Sequence, residues 1–132
     1  MKSESTFMLN KSELISFTAT CNAAKSRRFY ERTLGLKFVS SDRFALVFNI
    51  NGTMLRIQKV NKVKPHGYTV LGWKVKDIKK EVTTLAQRGV KFGRYEGLHQ
   101  DENGIWTAPS KAKIAWFTDP DGNILSLTEI PE

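Results

Sequence analysis

LISFTATCNAAKSRRFYERTLG, residues 14–35, and TVLGWKVKDIKKEVTTLAQRG, residues 69–89, follow one plan. In the first, Leu14 to Thr20 alternates as a strand does, Asn22 offers a helix N-cap, the helix runs Ala23 to Leu34, and Gly35 supplies a left-handed stop. In the second, Thr69 to Val75 is the strand, Asp77 the cap, Ile78 to Arg88 the helix and Gly89 the stop. The offset between them is about 55 residues throughout, which marks an internal duplication. Each helix gathers apolar residues on one side, Ala24, Phe29, Tyr30 and Leu34 in the first and Ile78, Val82, Leu85 and Ala86 in the second.

Working outward, each helix is followed by three strand candidates. The first half offers Leu36–Ser40, Phe44–Ile50 and Met54–Val60, with Asn51-Gly52 as a tight hairpin between the last two. The second offers Val90–Tyr95, Lys113–Thr118 and Ile124–Ile130, with Asp119-Pro120-Asp121-Gly122 as the matching turn. The duplication therefore predicts an α+β fold of two tandem βαβββ modules. Module one spans about 13–60, a linker 61–68 and module two about 69–130, so that 13–132 form a single domain behind an N-terminal tail, 1–12. Between Glu96 and Ser110 the second module carries an insertion with Leu98, Ile105 and Trp106, which suggests a lid.

Composition bounds the function. With 40% apolar and 26% charged residues and no long apolar run, the chain is globular in character and has no membrane span in its sequence. The tail lacks the apolar core of a signal peptide, and the single Cys21 cannot form an internal disulfide, so a cytoplasmic protein is expected. Lys and Arg number 21 against 13 acidic residues, a net charge of +8 that raises nucleic acid as a partner. The cations are scattered, however, and accompany no zinc-finger spacing or RNA-binding aromatic signature, which argues against nucleic acid and leaves either a solvated basic surface or attraction of a small anion.

The ordered set Phe29-Tyr30, Leu34-Gly35-Leu36, Asn51-Gly52-Thr53, Arg88-Gly89-Val90 and Asp119-Pro120-Asp121-Gly122-Asn123 resembles the vicinal-oxygen-chelate superfamily, which includes glyoxalase I, bleomycin-resistance proteins and extradiol dioxygenases. The likeness runs from about Leu14 to Ile130. Phe44 to Phe48 and Gly104 to Pro109 are similar to a bacterial subgroup of the same superfamily. The resemblance implies an incomplete, cleft-containing β-barrel with its helices outside, and it favours a homodimer. It also implies a divalent metal held by His, Gln or Glu from the first and last strands of each module. Those positions fall here on Ile15, Arg56, Val70 and Ser126. Aliphatic side chains have no lone pair, arginine stays protonated and repels a cation, and a lone serine hydroxyl is a poor ligand. No protein-held metal and no other cofactor is expected.

A different chemistry follows from strand alternation, which places Phe17, Arg56, Gln58, Lys74, Ser126 and Thr128 on the cleft side with the would-be metal positions. Arg56 can grip a carboxylate or phosphate with two parallel hydrogen bonds and Lys74 can add a point charge, unless Glu129 or Asp42 engages Arg56 internally. Trp106, on the insertion, is the tryptophan placed to touch a ligand. Two function classes stay open. One is a binding protein that takes a small anionic or neutral molecule in the cleft. The other is a lyase, isomerase or dioxygenase with an atypical or substrate-borne metal, in which His99 and Asp101 are the acid–base candidates.

Overall fold

The computed structural model describes residues 8–132. The expected tail lies outside the described residues as far as residue 7, and Leu9–Lys11 form one 3-10 turn ahead of the first strand. Module one comprises β1 (Ile15–Thr20), α1 (Ala23–Arg28), β2 (Lys37–Ser41), β3 (Ala45–Ile50) and β4 (Thr53–Lys59). Module two comprises β5 (Thr69–Lys74), α2 (Ile78–Gln87), β6 (Trp106–Thr107), β7 (Lys113–Thr118) and β8 (Ile124–Glu129). Each builds a four-stranded sheet of one topology, in the order β1-β4-β3-β2 and β5-β8-β7-β6. The first strand pairs parallel with the last, through the helical crossover, and the remaining pairs are antiparallel. β1 and β5 lie side by side at the seam between the sheets, which together remain an open barrel.

The caps read from sequence are in place. Asn22 Oδ1 accepts the Lys25 amide at 3.1 Å, and Asp77 Oδ1 accepts that of Lys80 at 3.2 Å. α2 is α-helical throughout, burying Ile78, Val82 and Leu85, while Ala86 faces out. α1 behaves differently. After Arg28 its next residues, Phe29–Thr33, widen into a π-helical turn closed by the Leu34 amide on the Phe29 carbonyl at 3.0 Å. Tyr30 turns fully inward, with Phe29 and Leu34 against the core, and Ser26 is buried where Ala24 was expected.

Alternation assigns the two faces of each sheet. Leu46, Phe48, Leu55 and Ile57 of sheet one, and Ala115, Phe117, Leu125 and Leu127 of sheet two, form a single core with the helices. Each leucine, isoleucine and phenylalanine among them contributes roughly 1.5–3 kcal/mol relative to exposure. The intervening residues form the open faces.

The expected strand Val90–Tyr95 is absent, and the place beside β7 is taken by Trp106–Thr107 from the insertion. The segment of alternating Val90, Phe92 and basic residues still touches β7, through the Gly93 amide on the Trp116 carbonyl at 2.8 Å. Two short pieces therefore share one sheet edge. Gln100 ties them: its Nε2 donates to the carbonyls of Gly93 at 2.8 Å and Gly104 at 2.9 Å, and its Oε1 accepts the Tyr95 amide at 2.8 Å. With Ile105 buried, the insertion is a fixed part of the sheet edge and not a hinged lid.

The halves are joined by a buried polar network. Tyr30 Oη donates to Asp119 Oδ2 at 2.6 Å, and the same carboxylate accepts the amides of Asp121 and Asn123. Asn123 Nδ2 then donates to the Ala19 carbonyl of β1 at 3.1 Å, which returns the network to module one. Arg88 at the end of α2 donates to the Thr33 carbonyl at 2.9 Å.

Candidate functional cleft

The register fixes the rows of the open faces. On sheet one Phe17 of β1 lies beside Arg56 of β4, and Arg56 beside Val47 of β3. The adjacent rows are Ala19–Gln58–Ala45 and Ile15–Met54–Asn49. On sheet two Gly72 of β5 lies beside Ser126 of β8 and Trp116 of β7. The next row runs Lys74, Thr128, Ile114 and Trp106. All four positions at which the resemblance implies a metal are thus in strands β1, β4, β5 and β8, and they hold Ile15, Arg56, Val70 and Ser126. Among the described residues no group of three or more His, Cys, Asp and Glu side chains stands close enough to bind a metal ion. The residues present do not fit the metal that the fold family implies.

The two faces differ in character. Sheet one presents Leu14, Ile15, Phe17, Val39 and Met54 to solvent, with Phe17 52% exposed. Val39 sits at the β2 bulge between Phe38 and Ser40, and it borders a cavity of about 330 Å³ with Ile15, Val47 and Met54. Sheet two carries an aromatic floor. Trp116 meets Tyr95 edge-on at 5.5 Å between centroids and Trp106 at 6.1 Å. Sequence reasoning singled out Trp106 alone. Its neighbours Tyr95 and Trp116 join it because β6 and the Phe92–Tyr95 segment share the edge of β7. Gly72 makes close approach possible beneath this floor, since a Cβ there would stand 2.7 Å from Ser126 Oγ.

Phe17 and Gln58 meet in one cavity of about 370 Å³ at the seam, which Val70 of sheet two also lines. Lys74 does not join them. It borders a cavity of about 200 Å³ on the helix side, with Leu34, Leu36 and Glu81. The acids that might have paired with Arg56 are engaged elsewhere. Glu129 accepts the Ile78 amide at 2.9 Å and so serves the start of α2. Asp42 caps the turn into β3 by accepting the Phe44 and Ala45 amides, which hold its carboxyl below the usual range, with Arg56 a minor contributor. His99 is exposed on the insertion, and Asp101 Oδ1 accepts the amides of Asn103 and Ile105 at 2.9 Å each, shaping that loop. Asp121 accepts from Cys21 Sγ at 3.2 Å and pushes the exposed thiol's pKa up, which leaves it a weak nucleophile.

Two repeated βαβββ units, joined at β1 and β5 over an open cleft, define the architecture of the vicinal-oxygen-chelate fold. The chain belongs to the Glyoxalase/Bleomycin resistance protein/Dioxygenase superfamily, whose family model matches residues 16–127. Among curated proteins, none matches. Solved structures share the fold. A superfamily member from Sphaerobacter thermophilus is 24% identical, with a TM-score of 0.72 over 92% of this chain and 99% of that one. An antibiotic-binding protein from a Streptomyces species is 20% identical, with a TM-score of 0.71 over 94% and 99%. Lactoylglutathione lyase from Agrobacterium tumefaciens is 15% identical, with a TM-score of 0.67 over 90% and 93%. No helix among the described residues is long and apolar enough to cross a membrane.

Proposed function

We propose that this protein binds a small organic molecule, anionic or neutral, against the open faces of its sheets, with no metal held by its own side chains. The observation that carries the reading is the donor chemistry at the four strand positions where the family places its metal. Ile15 and Val70 offer no lone pair, Arg56 opposes a cation, and Ser126 is a single neutral hydroxyl. The surrounding surface suits an organic ligand instead. Trp106, Trp116 and Tyr95 supply flat apolar area, and Arg56, free of an ion pair among the described residues, supplies a forked donor for an anion. Gln58, Ser126 and Thr128 add neutral hydrogen-bonding groups. A net charge of +8 disfavours a cationic ligand over an anionic one. The family contains both binding proteins and enzymes, and among the two the acid–base reading has less support, because Asp101 is engaged with backbone amides.

The experiment is thermal unfolding of chelator-treated protein with and without magnesium, manganese, iron, nickel and zinc. A metal held by the native state at about 100 times its dissociation constant adds roughly 2.7 kcal/mol, a rise of several degrees. We expect no metal to raise the midpoint. A rise with one of them would overturn the assignment and return a metal-dependent lyase or dioxygenase to the front.

A further inference from the structure

We propose that the linker between the modules, not only the strands, recognises the ligand, and that it does so by taking the ligand's anionic end. The inference rests on the preceding reading of a small-molecule cleft and adds the ligand's charge and its place. The seam cavity of about 370 Å³ has an apolar floor, made by Phe17, Val60, Val63 and Val70, and a polar rim made by Gln58, Lys62, Lys64 and His66. Neither lysine has an ion pair among the described residues. Asp119 is bound to Tyr30 and Asn123, and Asp121 turns its Oδ1 to Cys21 and keeps its Oδ2 buried. Two ammonium groups without an ion-pair partner among the described residues leave a local surplus of positive charge over an apolar base. That combination suits an aryl or alkyl carboxylate or phosphate ester.

The linker is also shaped in advance. Val60 donates to the Thr20 carbonyl at 2.9 Å, so the linker departs from β4 alongside β1. Pro65 rests on Gly122, where a Cβ would approach its Cγ to 2.9 Å, and His66 stacks on Tyr68 at 4.9 Å with planes 7° apart. Pinned at both ends, Lys62 and Lys64 lose less backbone freedom on binding than residues of a free loop would.

The test is an NMR titration of the full chain with phenyl phosphate, run beside inorganic phosphate and phenol, on the wild type, a Lys62→Ala/Lys64→Ala variant and Arg56→Ala. We expect phenyl phosphate to move the amides of residues 60–66 and the Gln58 side chain, and to bind about tenfold more tightly than either fragment. The linker variant should weaken it about tenfold, and Arg56→Ala by less, because Arg56 does not line the seam cavity. Both lysines are exposed, so the variant should keep the wild-type melting temperature, and Lys64→Glu should weaken binding further. Loss in Arg56→Ala with no change in the linker variant overturns the inference and leaves the cleft reading standing. Binding of phenol without phenyl phosphate does the same. Failure of all three probes overturns the inference and withdraws aryl ligands from the cleft reading.

Discussion

Tyr30 is buried with its hydroxyl 2.6 Å from Asp119, and burial together with that carboxylate pushes its pKa well above the ordinary value of about 10. In Tyr30→Phe the ring stays and the charge-assisted hydrogen bond goes, so chemical denaturation should show a loss of about 1.5–3 kcal/mol. The same group sets an alkaline dependence. A folded-state pKa above the unfolded one gives stability that is complete below about pH 10 and drains away as pH rises toward the folded value. The wild type should therefore lose stability between pH 9 and 11.5 more steeply than Tyr30→Phe, by roughly one bound proton's slope. Equal slopes in the two proteins would remove Tyr30 from the alkaline transition. Sequence alone assigned Tyr30 to a core face correctly but gave no sign of its partner, because Asp119 is 89 residues away and stood in an ordinary Asp-Pro-Asp-Gly turn.

At the scale of elements, strands and caps were legible where local chemistry decides them. Asn22, Asp77 and the hairpin at Asn51-Gly52 act through neighbours in sequence, and Asn51 and Gly52 both adopt the left-handed backbone such a turn needs. Val90–Tyr95 has the alternation of a strand, yet alternation does not say which segment reaches an edge first. Trp106–Thr107 does, and Gly93 keeps only one bond to β7. The π turn after Arg28 likewise has no local signature in Phe-Tyr-Glu-Arg-Thr. Gln100 is the pivot of the divided edge. Gln100→Ala would strand the Gly93 and Gly104 carbonyls and the Tyr95 amide, at a cost of about 1–3 kcal/mol. Limited proteolysis should then cut between residues 96 and 110, and tryptophan fluorescence should shift red. Unchanged cleavage in that variant would show that Ile105 and the flanking turns hold the insertion without it.

For the whole molecule, alternation needs only a strand and its phase, and the register sets Phe17 beside Arg56 and Ala19 beside Gln58. Alternation could not place the linker cations beside Phe17, because that depends on how two sheets meet. Nor could it foresee that Lys74 also borders a cavity with Leu36 and Glu81. Leu14, Ile15, Phe17, Val39 and Met54 are exposed apolar side chains, and four of them, Leu14, Ile15, Val39 and Met54, border one cavity, a concentration of the kind that seeks a partner. If the homodimer that the family resemblance favours pairs through this face, light scattering should return twice the 15.0 kDa chain mass. Phe17→Glu should shift that value toward the monomer, and a wild type of 15.0 kDa at every concentration would refute pairing through this face. The tie between Tyr30 and Asp119 bears on the chain's history as well. At the offset of about 55 residues, the counterpart of Tyr30 in the second half is Leu85, which has no hydroxyl to donate. The bond therefore runs in one direction only, from the first half to the second. The two halves are thus no longer interchangeable: releasing either one would take the Tyr30 hydroxyl from its acceptor and leave Asp119 with only the partners of its own turn, Asp121 and Asn123.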